Sequence, residues 1–192
     1  FIRVYRDRAD YGTWHGNPDI AKMIEEEHRR GYYRGVGEFH VFGREAASGV
    51  VKRIVDFAVA NDLVLHAHCD EEALGILFSH NPKARIIWAH TGFSTPLGRL
   101  EEILARYPLL WGELSYRGDV AADGRLAPAW KAFFEKHPGR FLVGSDTWVN
   151  ERWQSYPQTM GQYRRWLGEL PPEVAAGIAW GNGARLFGVQ RD

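Results

Sequence analysis

The sequence lacks an excess of either charge, a long apolar run and a second cysteine. Its 192 residues include 24 Lys and Arg and 24 Asp and Glu, which gives a formal net charge of zero. Proteins that bind nucleic acid by counterion release carry a basic excess, so no nucleic-acid partner is expected. No apolar run reaches the roughly 18–20 residues of a membrane helix, so no membrane partner is expected. The single cysteine, Cys69, excludes an internal disulfide and is interpreted as a small packing residue.

What is present is typical of a soluble globular chain. Hydrophobic residues make up 45% and charged residues 25% of the sequence, and there are eight tryptophans and eight histidines. The chain begins with Phe1 instead of Met, and no signal-peptide pattern follows. We therefore expect a piece of a longer protein, and the sequence assigns no compartment to it.

Short apolar strands, polar loops and amphipathic helices alternate along the chain. The sequence predicts strands at Phe1–Tyr5, Gly35–Phe42, Leu63–His68, Arg85–His90, Leu109–Ser115 and Phe141–Ser145. It predicts helices at Asp19–Arg30, Ala47–Ala60, Glu71–Phe78 and Leu97–Tyr107, and a further one from about Pro128. Asn17, Asp70 and Thr95 stand where residues that cap helix N-termini are expected.

This alternation predicts an α/β fold with a parallel sheet, because each parallel crossover needs a helix. An open doubly wound sheet and a closed eight-stranded barrel are the two candidate architectures. The glycine pairs at 35–37 and 181–183 lack the third glycine of a dinucleotide-binding loop, which disfavours the doubly wound sheet. We expect one partial barrel domain spanning residues 1–192.

Four of the predicted strands end in residues that can bind metal or transfer protons. They supply Glu38 and His40, His66 and His68, His90, and finally Asp146. Alternate residues of a strand share one face, so Val36 is expected beside Glu38 and His40, and Ile86 and Trp88 beside His90. Histidine and carboxylate are the usual ligands of catalytic zinc, with one position left for water. Such a metal lowers the pKa of its water to about 7, and a nearby carboxylate can then act as a base.

Each of these residues also has a purely structural interpretation. His66 could be a buried strand histidine bonded to the backbone, and Glu38 could pair with Arg34 or Arg44. Asp146 could cap the helix that follows it. Metal binding is favoured because the candidates coincide at the same ends of successive strands.

Five segments in order resemble the amidohydrolase superfamily: GVGEFH, LHAH, WAHTG, GSDTW and the ending IAWGNGARLFG. The chain is most similar to the branch of metal-dependent hydrolases and decarboxylases built on a distorted (β/α)8 barrel. The resemblance implies that Glu38, His66, His90 and Asp146 hold the metal, and that His68 is a further candidate ligand. It also implies catalytic roles for His90 and Asp146 in proton transfer. Zinc is the expected metal, with manganese and iron as alternatives.

The sequence departs from the family pattern at its start. The family's first strand carries a His-x-His pair, and no such pair begins this chain. We therefore expect strands three to eight of a (β/α)8 TIM barrel, lacking about the first two. Such a piece would have unpaired edges, so on its own we expect it to form a homodimer or be degraded.

Four further residues are predicted to bind substrate: His40, His68, Arg117 and Trp148. His40 and His68 are expected nearer to the open end of the predicted barrel, and Arg117 could hold a substrate carboxylate. Glu113 and Ser115 are further candidates to face the cavity.

Three functions remain open from the sequence. The first is a metal-dependent hydrolase that cleaves a C–N or C–O bond of a small molecule. The second is a non-oxidative decarboxylase of the same fold. The third is a non-catalytic remnant that lost its first-strand ligands and serves as a binding domain.

Overall fold

The structure is a computed structural model that describes residues 1–189, so the end of the predicted domain, 190–192, lies outside the described residues. It contains seven strands: β1 (Gly35–Val41), β2 (Val64–Cys69), β3 (Arg85–Trp88), β4 (Leu110–Glu113), β5 (Ala121–Ala122), β6 (Arg125–Leu126) and β7 (Phe141–Leu142). Five of them form one parallel sheet in the order β1-β2-β3-β4-β7, and β5 and β6 form an antiparallel hairpin.

This strand order confirms the predicted α/β class. A doubly wound sheet reverses its strand order at a switch point, whereas here neighbouring strands follow one another along the chain. That sequential order is the order of a barrel. Among residues 1–189 the sheet is open, with β1 and β7 at its two edges.

Eight α-helices connect and cover the strands: α1 (Pro18–His28), α2 (Gly49–Ala60), α3 (Glu71–His80), α4 (Leu97–Arg106), α5 (Pro128–Lys136), α6 (Asn150–Leu167), α7 (Pro172–Ala176) and α8 (Asn182–Phe187). Asn17 and Asp70 cap α1 and α3 as predicted, because their side chains accept from the backbone of Asp19 and Ala73. The predicted cap at Thr95 is wrong, since its hydroxyl donates backwards to the carbonyl of Gly92. Of the helices described, none is long and apolar enough to span a bilayer.

The two faces of the sheet are covered differently. On one face, residues such as Leu65, Ile86 and Phe141 pack against the helices in the main hydrophobic core. On the other face, which we call the inner face, lies a small apolar cluster of Val64, Ile87, Leu142 and, from α8, Leu186. His66 and His68 alternate with Leu65 and Ala67, so they continue the inner face from Val64 towards the carboxyl ends of the strands. The sheet therefore presents its polar residues beyond a small apolar base.

The predicted first strand is wrong in extent. Phe1–Tyr5 forms one parallel bridge, between Ile2 and Val36, instead of a strand. Its backbone nevertheless pairs with β1 like a parallel neighbour. The N–H of Ile2 donates to the carbonyl of Gly35, and the carbonyl of Ile2 accepts from the N–H of Gly37. The last strand is also shorter than predicted and ends at Leu142, since β7 pairs with only two residues of β4.

In two strands the side chains do not alternate between the faces of the sheet as predicted. In β1 the register shifts between Gly37 and Phe39, so Val36 packs in the main core while Glu38 contacts His68. An extra residue at such a bulge moves all later side chains to the opposite face. In β3, Ile86 lies in the main core together with Trp88, and the strand ends before His90. A turn at Ala89–Gly92, in which His90 and Thr91 have positive φ angles of 55° and 47°, then sets the direction of the imidazole.

Candidate metal centre

Glu38, His40 and His68 form a compact group of possible metal ligands at the carboxyl ends of β1 and β2. One ligand atom from each residue lies within 4.8 Å of the other two. Parallel pairing brings them together, because His40 is directly opposite His68 in the register of the two strands. Glu38 Oε1 lies 3.0 Å from His68 Nδ1. The alternative pairing of Glu38 with Arg34 or Arg44 is therefore replaced by an interaction with His68.

The protonation states in this group suit metal binding. Burial raises the pKa of Glu38, but the His68 hydrogen bond and the nearby His66 and His90 outweigh it, so the net pKa is lowered. Burial and the neighbouring His68 lower the pKa of His40 to about 4. At neutral pH the group therefore contains a carboxylate and a neutral imidazole, which are the forms that bind metal.

His66 lies deeper on the inner face, beneath His68. Its Nε2 is buried and has no hydrogen-bond partner among the described residues. Burial lowers the pKa of this imidazole, which disfavours the charged form. A buried ring nitrogen without a partner costs free energy unless something binds it, so Nε2 of His66 is a further candidate donor on the same strand as His68. The interpretation of His66 as a histidine satisfied by the backbone is not supported at Nε2.

His90 faces the same group from the turn that follows β3 and is held by a buried network. Its Nδ1 lies 3.0 Å from the carbonyl oxygen of Ser115 and 2.9 Å from that residue's hydroxyl. A carbonyl oxygen only accepts, so Nδ1 carries the proton and Nε2 is left with a free lone pair. Nε2 lies 3.8 Å from Glu38 Oε1. His90 thus directs a basic nitrogen towards the candidate ligands.

Asp146 is not one of the three residues grouped as possible ligands. It has a positive φ of 45°, and its carboxylate accepts a 2.8 Å hydrogen bond from the guanidinium of Arg152, which also donates to the Asp146 carbonyl. It does not cap α6, whose cap position is Val149. Arg152 lies over the ring of Tyr116, which is edge-on to His90 at 5.7 Å. Asp146 is therefore linked to His90 through Arg152 and Tyr116.

Arg117 is buried instead of facing a substrate. Its guanidinium donates to the carbonyls of Thr91 and Thr95 and to the carboxylate of Asp119, and its side chain is 1% exposed. Four hydrogen bonds thus tie the guanidinium to the protein. The role in substrate binding was predicted from position along the strand, which does not reveal these partners. Trp148, by contrast, is 72% exposed and lies beside Arg152.

Partly exposed aromatic rings surround the histidines. Phe93 lies 4.4 Å from the His90 ring and 5.0 Å from the His68 ring. Three others contact the histidines: Tyr11 with His40, Phe42 with His68 and Tyr116 with His90. The four rings are 44–55% exposed, which is unusual for large apolar side chains at a polar site. They give the mouth an apolar rim around a polar floor.

The residues present fit a divalent metal. Carboxylate oxygen and imidazole nitrogen are the donors that zinc and similar ions prefer. The buried Nε2 of His66, on the same strand as His68, is a further such nitrogen and has no hydrogen-bond partner among residues 1–189. Sequence reasoning placed His40 with the substrate and gave His68 both as a substrate contact and as a further candidate ligand, whereas the structure groups the two with Glu38. The register between β1 and β2 was the missing information. Tyr5, which contacts His40, was not anticipated and has no local sequence signal.

Comparison with known proteins is consistent with this geometry. The amidohydrolase family model, Amidohydro_2, matches residues 7–189. The structure of an amidohydrolase from Burkholderia multivorans with bound Hepes aligns with a TM-score of 0.60 at 20% identity, covering 91% of this chain and 71% of that one. A structure from the same organism with bound zinc gives 0.55 at 18% identity, covering 91% and 80%. Amidohydrolase 2 from Bifidobacterium longum subsp. infantis gives 0.51 at 14% identity, covering 91% and 77%.

At these identities the solved structures establish a shared fold. A search of curated protein sequences finds no significant match. The family match extends over nearly all of the described residues. On that match, the chain belongs to the amidohydrolase family.

Proposed function

We propose that this protein is a metal-dependent hydrolase that cleaves a C–N or C–O bond of a small molecule. The observation that carries the proposal is the convergence of Glu38, His40 and His68, with possible ligand atoms all within 4.8 Å. These residues would hold the metal, with zinc as the first candidate and manganese and iron as alternatives. We assign His66, two positions before His68 on β2, as a further ligand.

The metal and the side chains have separate tasks. When bound, a divalent metal supplies Lewis acidity, which polarises a carbonyl and makes hydroxide available near neutral pH. His90 would be the general base, because its Nε2 lone pair faces Glu38 while Nδ1–H is held by Ser115. The same nitrogen would then return the proton to the leaving group. Glu113 and Ser115 keep the ring in that orientation.

Asp146 was expected to act as a ligand and base, but its ion pair with Arg152 favours a different role. The Arg152 guanidinium donates both to the Asp146 carboxylate and to the Asp146 carbonyl, so the two residues hold each other in place. We assign Asp146 to holding Arg152 at the mouth, beside Tyr116 and Trp148. The rim of aromatic rings would then receive an apolar face of the substrate.

The decarboxylase alternative loses one of its supports. It required Arg117 to hold a substrate carboxylate, and that guanidinium is buried and donates to Thr91, Thr95 and Asp119. The remnant alternative is also weakened, because donors on β1 and β2 form a group without a first-strand His-x-His pair. The hydrolase is therefore the function that the site supports best.

Metal content measured by elemental analysis tests the proposal. The unaltered protein, purified after growth with zinc, should contain near-stoichiometric metal, and the double variant His40→Ala, His68→Ala should lose it. His137→Gln is the matched control, because His137 pairs with Glu101 on the helical side and should not affect metal content. The loaded protein should hydrolyse members of a panel of esters, lactones and amides.

Each outcome is decisive. Metal in the double variant at the level of the unaltered protein would overturn the assignment of His40 and His68. Release of carbon dioxide from aromatic acids, without hydrolysis of the panel, would replace the hydrolase by the decarboxylase. A protein that binds no zinc, manganese or iron would overturn both and favour the remnant.

A further inference from the structure

Tyr5 makes two contacts with His40 through a single oxygen. The backbone N–H of His40 donates to the Tyr5 hydroxyl oxygen at 2.7 Å. The same oxygen lies 2.9 Å from Nδ1 of the His40 ring. One phenol therefore fixes both the backbone and the ring of this residue, 35 positions away in the chain.

The position of Tyr5 is itself fixed by neighbouring contacts. Ile2 is hydrogen-bonded to Gly35 and Gly37 of β1, and Val4 is buried in the main core. Tyr5 thus follows directly from a segment anchored beside the strand that carries His40. It precedes residues 7–189, which the family model matches.

The direction of the hydrogen bond between Tyr5 and Nδ1 determines which ring nitrogen of His40 has the lone pair that can bind a metal. A neutral imidazole has one N–H and one lone pair. If Nδ1–H donates to the Tyr5 oxygen, that oxygen accepts two hydrogen bonds and Nε2 keeps its lone pair. Histidines that bind metal usually donate their other N–H to such a partner, which fixes the tautomer and the ring orientation.

We propose that Tyr5 is a positioning residue of the metal centre, which holds His40 so that Nε2 is its ligand atom. The inference rests on the proposed function, since it needs His40 to be a ligand. It adds a partner for that ligand from the N-terminal segment. Burial raises the pKa of Tyr5 to about 12, so the phenol stays uncharged at neutral pH.

The test compares Tyr5→Phe with Tyr11→Phe in the full chain. Tyr5→Phe removes the hydroxyl and keeps the ring, whereas the Tyr11 ring lies 4.8 Å from the same imidazole, tilted by 43°, and is 54% exposed. Zinc affinity is measured by competition with a chromophoric chelator, and Co²⁺ is used to record the visible ligand-field spectrum. We expect zinc affinity to fall about 10- to 100-fold and the spectrum to change in Tyr5→Phe. Tyr11→Phe should retain both properties.

The outcomes separate this inference from the proposed function. Unchanged zinc affinity and an unchanged spectrum in Tyr5→Phe, with binding lost in His40→Ala, would overturn the role of Tyr5 and leave the metal centre intact. Absence of zinc, manganese and iron binding in the unaltered protein would overturn the proposed function together with this inference. Retained binding in His40→Ala would remove His40 from the ligands and overturn the inference as well.

A measurement on the unaltered protein keeps the test independent of variant folding. With zinc bound, the ¹⁵N shifts of the His40 ring should correspond to a protonated Nδ1 and a ligated Nε2. A ligated Nδ1 would require the Tyr5 contact to be broken, and this result would overturn the proposal.

Discussion

The backbone N–H of His90 donates a 3.0 Å hydrogen bond to Oε2 of Glu113, and both residues are buried. The same carboxylate accepts from the backbone N–H of Ser115 at 2.6 Å and from its hydroxyl at 2.8 Å. Glu113 thus joins the ends of β3 and β4. Because His90 has a positive φ, this carboxylate stabilises a backbone conformation that non-glycine residues rarely adopt.

Replacing Glu113 should therefore destabilise the protein. In Glu113→Ala three buried donors lose their acceptor, and we expect the free energy of unfolding to fall by about 2–4 kcal/mol. Urea unfolding followed by fluorescence measures this loss. Glu113→Gln is the matched control: its amide oxygen still accepts, so a smaller loss is expected. Equal stability of the alanine variant and the unaltered protein would contradict the role of this network.

Gly144 makes room for the Glu113 carboxylate. A Cβ atom at this position would lie 1.9 Å from Glu113 Oε1 and 2.6 Å from its Cδ. Gly144→Ala should displace the carboxylate and lower the free energy of unfolding by about 1–3 kcal/mol. Gly118→Ala is the control, because nothing lies within 4 Å of a Cβ there. A loss of equal size in both variants would show that the effect is not specific to Glu113.

Arg117 should matter for stability, since its hydrogen bonds all go to the protein. Arg117→Ala leaves the carbonyls of Thr91 and Thr95 without their donor and should lower the free energy of unfolding by about 3 kcal/mol. The exposed Arg125 provides the control, for which a change within about 0.5 kcal/mol is expected. Full stability of Arg117→Ala, with a raised KM for anionic substrates, would restore the substrate-binding role.

Acid should weaken the N-terminal segment through Asp10. Hydrogen bonds from the Arg6 guanidinium and backbone lower the pKa of Asp10 from 3.8 to about 2. Because the folded form has the lower pKa, this contribution to stability is complete above about pH 4 and is lost as the pH falls towards 2. The stability advantage over Asp10→Asn should therefore shrink across that range in parallel urea titrations. An advantage that grows on acidification would contradict the assignment.

The sequence predicts most of the helices and inner strands well because their signals are local. Asn17 and Asp70 mark helix starts, and apolar runs define β2 and β3. The fold class follows from this alternation together with the spacing of the strand ends. Thr95 fails as a cap because its hydroxyl donates to Gly92 in the tight turn that precedes it, and only the three-dimensional path of that turn determines this partner.

The site is predicted less completely, because its geometry depends on relations between strands. The β1 bulge changes the face on which Glu38 lies, and the register of β1 with β2 brings His40 opposite His68. Neither can be read from alternation within one strand. Asp146 and Arg117 occupy plausible positions, but their partners Arg152 and Thr91 are set by loops. Glu113 and Ser115, which the pattern predicted to face inwards, are indeed buried.

The burial of Cys69 has a practical consequence. Its thiol is enclosed on the core side of β2, and burial raises its pKa, so labelling reagents should not reach the only natural sulfhydryl. A cysteine introduced at the exposed position of Lys83, in the turn that leads into β3, would then be the one reactive thiol. Because that turn lies at the amino end of the sheet, a dye or a solid support attached there would leave the metal centre facing the solution.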